Sequence, residues 1–314
     1  MIKTLAPIIL FTYNRPRHTD KTLSALASNK LSSESILYIY SDAPRSDADN
    51  KKQLEVREVI DKYRKSFKEL NVISSPKNKG LSKSVIEGVT EICREHGRAI
   101  VLEDDVVTNP NFLDYMNKCL DKYESCTKVM AISGYIHASP ISHGDDVLFL
   151  PYISSWGWGT WKRAWDLFDE SQEYFDNLRG KKDLIYKFNL NGKYPFYEML
   201  EKKYNGKIDS WAISWYANLY FNNGLSIFPR SSLTINIGLD GTGENCKVRS
   251  VNQSPLHNNS KDFYLPEVVE ISDEFETIIN SFPQPSVNLI ATFNYINSKI
   301  KKLLGGWGKF THFN

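Results

Sequence analysis

Three consecutive carboxylates, Glu103-Asp104-Asp105, follow the apolar run Ala99-Ile100-Val101-Leu102. Such a run predicts a strand buried on both faces, with the acids at its end. Three ionised carboxylates side by side in a crevice repel one another, a cost that a cation offsets. Hard oxygen ligands suit Mg2+ or Mn2+. A divalent ion on one or two of them can grip the diphosphate of a nucleotide and neutralise a departing phosphate. The same residues would also suit a solvated acidic turn leading to a helix near Pro110. The buried strand before them, and Asp42 at the end of another strand, favour the metal.

The elements that must position these acids alternate along the first half of the chain. Pro7 to Tyr13 is a continuous apolar strand pattern broken by Asn14-Arg15-Pro16, and His18 to Ser28 has helical spacing. Ile36 to Tyr40 predicts a second strand, closed by Ser41-Asp42-Ala43-Pro44. Asp49 to Leu70 predicts a charged helix with Leu54, Val59, Ile60, Tyr63 and Phe67 on its apolar stripe. A short third strand begins at Val72-Ile73. The loop Pro76-Lys77-Asn78-Lys79-Gly80 leads into a helix over Leu81 to His96. This order predicts an open, mostly parallel sheet with helices on both faces. Ligands of such sheets bind beyond the carboxyl ends of the strands, where Asn14, Arg15, Asp42 and the triplet all fall.

The second half is less regular. Val129 to Ser133 and Val147 to Leu150 predict strands, followed by the aromatic segment Ser154-Ser155-Trp156-Gly157-Trp158-Gly159-Thr160-Trp161. Helical patterns run from about Arg163 to Tyr204 and from Asp209 to Asn222, and Leu225 to Phe228 predicts a strand. Residues 238–262, rich in Gly, Asn and Ser, predict a loop. Residues 287–310 combine an apolar stripe with Lys299, Lys301 and Lys302, an amphipathic basic helix.

The run Ile100-Val101-Leu102-Glu103-Asp104-Asp105 with Asn109-Pro110-Asn111-Phe112 resembles the metal-binding motif of GT-A glycosyltransferases. Similarity is greatest to the N-acetylglucosaminyltransferase I type and to bacterial sugar transferases of polysaccharide synthesis. Phe11 to Pro16 and Tyr40-Ser41-Asp42 resemble the first two nucleotide-binding strands of that fold. Asn78 to Leu81 resembles its donor-side segment and Trp156 to Gly159 its acceptor-side segment. Lys207 to Trp211 resembles the segment carrying the catalytic base, and Asn236-Ile237-Gly238 with Asp240 to Gly243 the loop that ensues. The resemblance spans about residues 6 to 246, and the order of its motifs makes it specific. It implies an α/β GT-A (Rossmann-like) domain over 1–285, with a nucleotide-sugar-binding half at 1–128, an acceptor half at 129–285 and a basic helical tail at 286–314.

Position by position, the resemblance implies that Asp105 ligates Mn2+ or Mg2+, with Asp104 and Glu103 near the ribose or base. Asp42 would accept a hydrogen bond from the base, which favours uracil, and Arg15 would pair with the diphosphate or cover the base. Lys79 would assist the phosphates. Asp209 would be the general base of a single, inverting displacement. Trp156 and Trp158 would receive the acceptor, and His257 would add a metal ligand. Each residue also has a plain structural use. Asp209 suits a helix N-cap and Asp42 a turn, Arg15 and Lys79 suit the surface, and the tryptophans suit the core.

Composition bounds the function classes. The 314 residues are 41% apolar and 24% charged, ordinary for a globular chain, and the net charge of +2 points to no nucleic-acid partner. Four cysteines without CxxC spacing signal neither zinc nor a disulfide framework, which fits a reducing compartment. The N-terminus lacks a signal-peptide cleavage site, and no apolar run approaches the ~18 residues of a spanning helix. The expected place is cytoplasmic, or peripheral at the inner face of the membrane through residues 287–310, which equally suit a helix packed on the domain. The expected partners are a nucleotide-sugar donor and a saccharide or lipid-linked acceptor. A nucleotidyltransferase is the alternative enzyme, but Asn-Arg-Pro-Arg-His stands where its glycine-rich phosphate loop belongs. A sugar-binding module without turnover is the non-enzymatic alternative.

Overall fold

The computed structural model describes residues 4–137, 147–240, 253, 256 and 263–282. The first half is built as its patterning predicts. Strand β1 (Ile8–Thr12) is buried at every position. Helix α1 (Pro16–Ala27) starts on a proline, whose missing N–H costs nothing at a first helical position. After β2 (Ile36–Ser41), Ser46 caps α2 (Asp47–Lys62) by accepting from the Asp49 N–H. Next come β3 (Glu69–Ser74), α3 (Leu81–His96) and β4 (Arg98–Glu103). Gly97 ends α3 in the left-handed region, donating its N–H to the Cys93 carbonyl. Two residues past β4, β5 (Val106–Thr108) leads to α4 (Phe112–Lys122) and β6 (Val129–Ser133).

Beyond it lie β7 (Val147–Leu150), β8 (Trp158–Trp161), four short helices, α5 (Lys162–Trp165), α6 (Glu173–Leu178), α7 (Lys182–Phe188) and α8 (Phe196–Tyr204), then α9 (Trp211–Phe221). β9 (Leu225–Pro229), β10 (Thr234–Asn236) and α10 (Phe275–Asn280) follow.

Eight strands form one sheet in the order β3-β2-β1-β4-β8-β6-β9-β7, flanked by helices. β3, β2, β1 and β4 are parallel, as are β6 and β9, while β8 and β7 run against their neighbours. The fold is α/β with a mostly parallel sheet. β1 lies between β2 and β4, so the chain crosses to one side for β2 and β3 and to the other for β4. That switch point opens a crevice at the carboxyl ends of β1 and β4. Alternation along β1 serves both faces: Ile8 and Leu10 pack with Leu23, Val56 and Met116, and Ile9 and Phe11 with Val85, Val89 and Trp158.

One expectation needs correction. Helix α2 ends at Lys62, not Leu70: a 3-10 turn at Arg64–Ser66 follows, and Leu70 belongs to β3. Its buried face carries Gln53, Val56, Val59 and Ile60, and Leu54 is 52% exposed. The aromatic segment ends in strand β8 at Trp158–Trp161, wedged between β4 and β6. Gly159 permits this, since a Cβ there would stand 3.2 Å from the Ala99 carbonyl across the ladder. The helical patterns from Arg163 to Tyr204 are four short helices. The tail at 286–314 and most of the 238–262 loop lie outside the described residues.

Candidate functional site

The triplet forms a corner in which Asp104 and Asp105 are buried and Glu103 is half-buried. β4 delivers Glu103 opposite Phe11 of β1, and Asp104-Asp105 make the turn into β5. Asp104 is 3% exposed and Asp105 7%, which excludes a solvated acidic turn. Helix α1 faces this corner with Arg15, His18 and Thr22, spaced as one helical stripe. Arg15 Nη2 donates to Asp104 Oδ1 and stands 2.9 Å from Asp105 Oδ2. The Thr22 hydroxyl donates to the Asp104 carbonyl at 2.9 Å.

The other wall comes from 130 residues later in the chain. β10 pairs antiparallel with β5, and the Ile237 N–H donates to the Asp105 carbonyl at 2.8 Å. Asn236 Nδ2 reaches Asp105 Oδ1 at 3.4 Å, while Asn236 Oδ1 accepts from the Gly238 N–H at 2.7 Å. Gly238 lies so close that a Cβ would overlap the Asp105 carboxylate and stand 3.0 Å from Arg15 Nη1, so only glycine fits. A turn at Gly238–Asp240 brings Asp240 Oδ2 within 3.2 Å of His18 Nε2.

Electrostatics follow from this burial. Loss of solvent pushes the Glu103 carboxyl up to about 8, and the neighbouring Asp105 and Asp104 charges push the same way. Burial also raises Asp104, even against the opposing pull of Arg15. Burial lowers Arg15, but Asp104 and Asp105 outweigh it and hold the guanidinium firmly charged. Two atoms here are buried without a hydrogen-bond partner: Asp104 Oδ2 and Arg15 Nη1. One wants a donor or a cation, the other an acceptor. A divalent cation together with an anionic oxygen would supply both. The donor set therefore fits a hard divalent cation. No ready-made cluster of three His, Cys, Asp or Glu side chains exists among the described residues, and Asp104 and Asp105 converge on Arg15 instead.

Asp42, at the end of β2, is engaged by backbone. Its carboxylate accepts from the N–H groups of Lys79 (2.9 and 3.0 Å), Gly80 (2.8 Å) and Ala43 (2.9 Å). It thereby ties the loop before α3 to β2. Asn78 completes the tie, donating to the Ala43 carbonyl at 2.7 Å and accepting from Arg45 Nε at 2.9 Å. The Lys79 ammonium pairs with Glu87 at 2.6 Å, beside a cavity of about 230 Å³ lined by Tyr40, Asp42, Ser74 and Glu91.

Asp209 is exposed and is not the helix cap: Ser210 occupies that position, without a side-chain capping bond. Asp209 Oδ2 lies 3.7 Å from where a Gly80 Cβ would stand, so it borders the loop that Asp42 holds. It also lines an open cavity of about 510 Å³ with Glu170, Lys203, Tyr204 and Lys207. Trp156 is half-buried, its ring 4.4 Å from that of Tyr135, and its carbonyl accepts from Thr234 of β10 at 2.6 Å. Trp158 is a correction. At 2% exposure it is core, stacked on Trp211 at 5.0 Å, because every residue of β8 is buried and both faces of the strand are covered. His257 lies outside the described residues.

The corner thus assembles Arg15, Glu103, Asp104 and Asp105, with Asp42, Lys79 and Asp209 around the neighbouring loop. His18 and Thr22 went unnoticed in the sequence, although their spacing from Arg15 is helical. Asn236 and Gly238 were legible only as a segment, since their contact with Asp105 is made by a strand pairing across the chain.

No protein-family model matches this chain, and no curated protein matches it in sequence. Among solved structures it is similar to S. aureus TarS 1-349, with 12% identity and a TM-score of 0.43 over 74% of this chain and 61% of that one. The same protein in complex with UDP-GlcNAc gives 12% identity and 0.42 over 73% and 56%. Glucosyl-3-phosphoglycerate synthase from Mycobacterium tuberculosis, in complex with Mn2+, UDP and phosphoglyceric acid, gives 8% and 0.32 over 52% and 57%. The chain spans less than two thirds of the length of each of these structures. No residue's role is carried across at such distance.

Proposed function

We propose that the chain is an inverting, metal-dependent glycosyltransferase acting on a nucleoside-diphosphate sugar, with UDP the favoured nucleotide. The observation that carries the proposal is the buried acidic corner at the sheet's switch point, whose unpartnered Asp104 oxygen and Arg15 nitrogen ask for a cation and an anionic oxygen together. The motif resemblance to GT-A enzymes, in which this corner is the metal site, agrees with it. Asp105 and Asp104, with Glu103 beside them, would hold Mn2+ or Mg2+. When bound, the ion would neutralise charge on the departing diphosphate.

The remaining chemistry belongs to the chain's own side chains. Arg15 binds diphosphate oxygens. Asp42 shapes the loop beside the base by fixing the Lys79 and Gly80 amides. Asp209, exposed and accepting no hydrogen bond from a described residue, would take the proton of an acceptor hydroxyl at the rim of the larger cavity. Trp156 offers a ring face on the acceptor side. The acceptor is a saccharide or lipid-linked saccharide of bacterial surface polysaccharide synthesis, and the transferred group a hexosyl or N-acetylhexosaminyl unit. No helix among the described residues is long and apolar enough to cross a membrane. The basic tail at 287–310 is proposed as the peripheral contact.

The test is nucleotide-sugar hydrolysis with and without Mn2+. Wild type should release nucleoside diphosphate only with the metal, and Asp105→Ala should not. Metal-free release at the full rate, or pyrophosphate exchange with a sugar phosphate, would sink the assignment.

A further inference from the structure

Arg15 stands where a cation belongs. Its backbone is held: the carbonyl accepts from the Thr19 N–H at 3.0 Å and the Thr19 hydroxyl at 2.9 Å, and Pro16 restricts the residue before it, which is Arg15 itself. Only the side chain can swing. Its Nη2 touches Asp104 and Asp105 together, so both carboxylates a metal needs are already engaged. Gly238 closes over the second Asp105 contact. A divalent ion therefore cannot settle between the two acids until the guanidinium leaves. The guanidinium in turn cannot leave cheaply, because a buried charge without a partner is strongly unfavourable. Yet Nη1 of the same side chain is buried with no acceptor, so Arg15 is only half satisfied where it is. Diphosphate oxygens would satisfy the whole fork.

We infer that Arg15 is a stand-in cation that makes the metal and the nucleoside diphosphate bind as an interdependent pair. Without ligands it neutralises Asp104 and Asp105. When both ligands arrive, the diphosphate takes the guanidinium and the carboxylates are left to the metal. Each ligand thus raises the other's affinity by the same factor. The inference rests on the transferase proposal and adds an order to it: metal alone binds poorly.

The experiment measures Mn2+ binding from the EPR signal of the free ion and UDP binding by calorimetry, each alone and together. It compares wild type, Arg15→Gln and Asp104→Asn, with folding checked by circular dichroism. In wild type, UDP should raise Mn2+ affinity at least tenfold. Arg15→Gln should bind Mn2+ alone at least tenfold more tightly than wild type, and the coupling should shrink below threefold. Asp104→Asn removes one of the two holders of Arg15, so metal-free UDP should bind it more tightly than wild type. That arm stands even if Arg15→Gln fails to fold. If wild type binds both ligands but Arg15→Gln gains no Mn2+ affinity, or Asp104→Asn gains none for UDP, the exchange is overturned and the transferase reading stands. If no variant and no wild type binds either ligand, the transferase reading itself falls.

Discussion

At the scale of single residues, burial sets the chemistry. Glu103 accepts no hydrogen bond from a described residue, and its carboxyl is pushed up to about 8 by loss of solvent beside Asp105 and Asp104. The folded state therefore holds this proton more tightly than the unfolded chain, whose glutamate titrates near 4.5. Stability should fall as pH rises from about 4.5 to about 8, and level off above that, where both states are ionised. Glu103→Gln, which is never ionised, should flatten the slope, as urea midpoints measured across that range would show. An unchanged slope in the variant would contradict a raised Glu103 carboxyl. Asp209 predicts the opposite kind of effect. It is exposed and unbonded among the described residues, so Asp209→Asn should leave stability within about 0.5 kcal/mol. The same change should lower kcat roughly 10²–10⁴-fold with donor affinity intact. A fall in donor affinity instead would assign it to binding.

At the scale of elements, the site depends on how segment ends are fastened. Asp42 holds three backbone amides at the start of α3 and the end of β2. Asp42→Ala leaves those donors without their acceptor and should cost about 1–3 kcal/mol in urea denaturation. Asp42→Asn keeps an acceptor oxygen and should cost less. Equal losses would mean that charge, rather than the amide contacts, matters. Elements also show why part of the site was legible. The strand at Ala99–Leu102 and the helix at Leu81–His96 announce themselves by local period, so the triplet's place at a strand end could be read directly. β8 could not be read this way. Its four residues include a glycine, and it is a strand only because β4 and β6 supply ladders on both sides. β5 and β10 have three residues each and exist as each other's partner, which hid the Asn236–Gly238 wall. Asp42 was legible as an acid at a strand end, but its occupation by amides depends on a loop 37 residues further on.

At the scale of the whole molecule, the described residues before and after residue 128 are one body of packing. β8 belongs to the later part of the chain yet pairs with β4 of the earlier part. Trp158 of β8 stacks on Trp211 of α9, and Trp165 lies 5.0 Å from Trp215. Trp165 Nε1 donates to Thr90 of α3 at 2.9 Å. One hydrophobic cluster thus holds Ile9, Phe11, Val85 and Val89 together with these tryptophans. A boundary at residue 128 would cut both the sheet and this cluster. The chain should therefore lose its tryptophan environment and its helices together. Urea curves followed by tryptophan fluorescence and by far-ultraviolet circular dichroism should share one midpoint. Trp215→Ala, which empties a fully buried site between the two parts, should lower stability by about 3–5 kcal/mol and move both curves equally. Two separated midpoints, with Trp215→Ala shifting only the fluorescence curve, would show that the part after residue 128 folds by itself. Asp209 would then be carried on a unit able to move against the acidic corner, and its distance from the donor would be set by ligands rather than by the core.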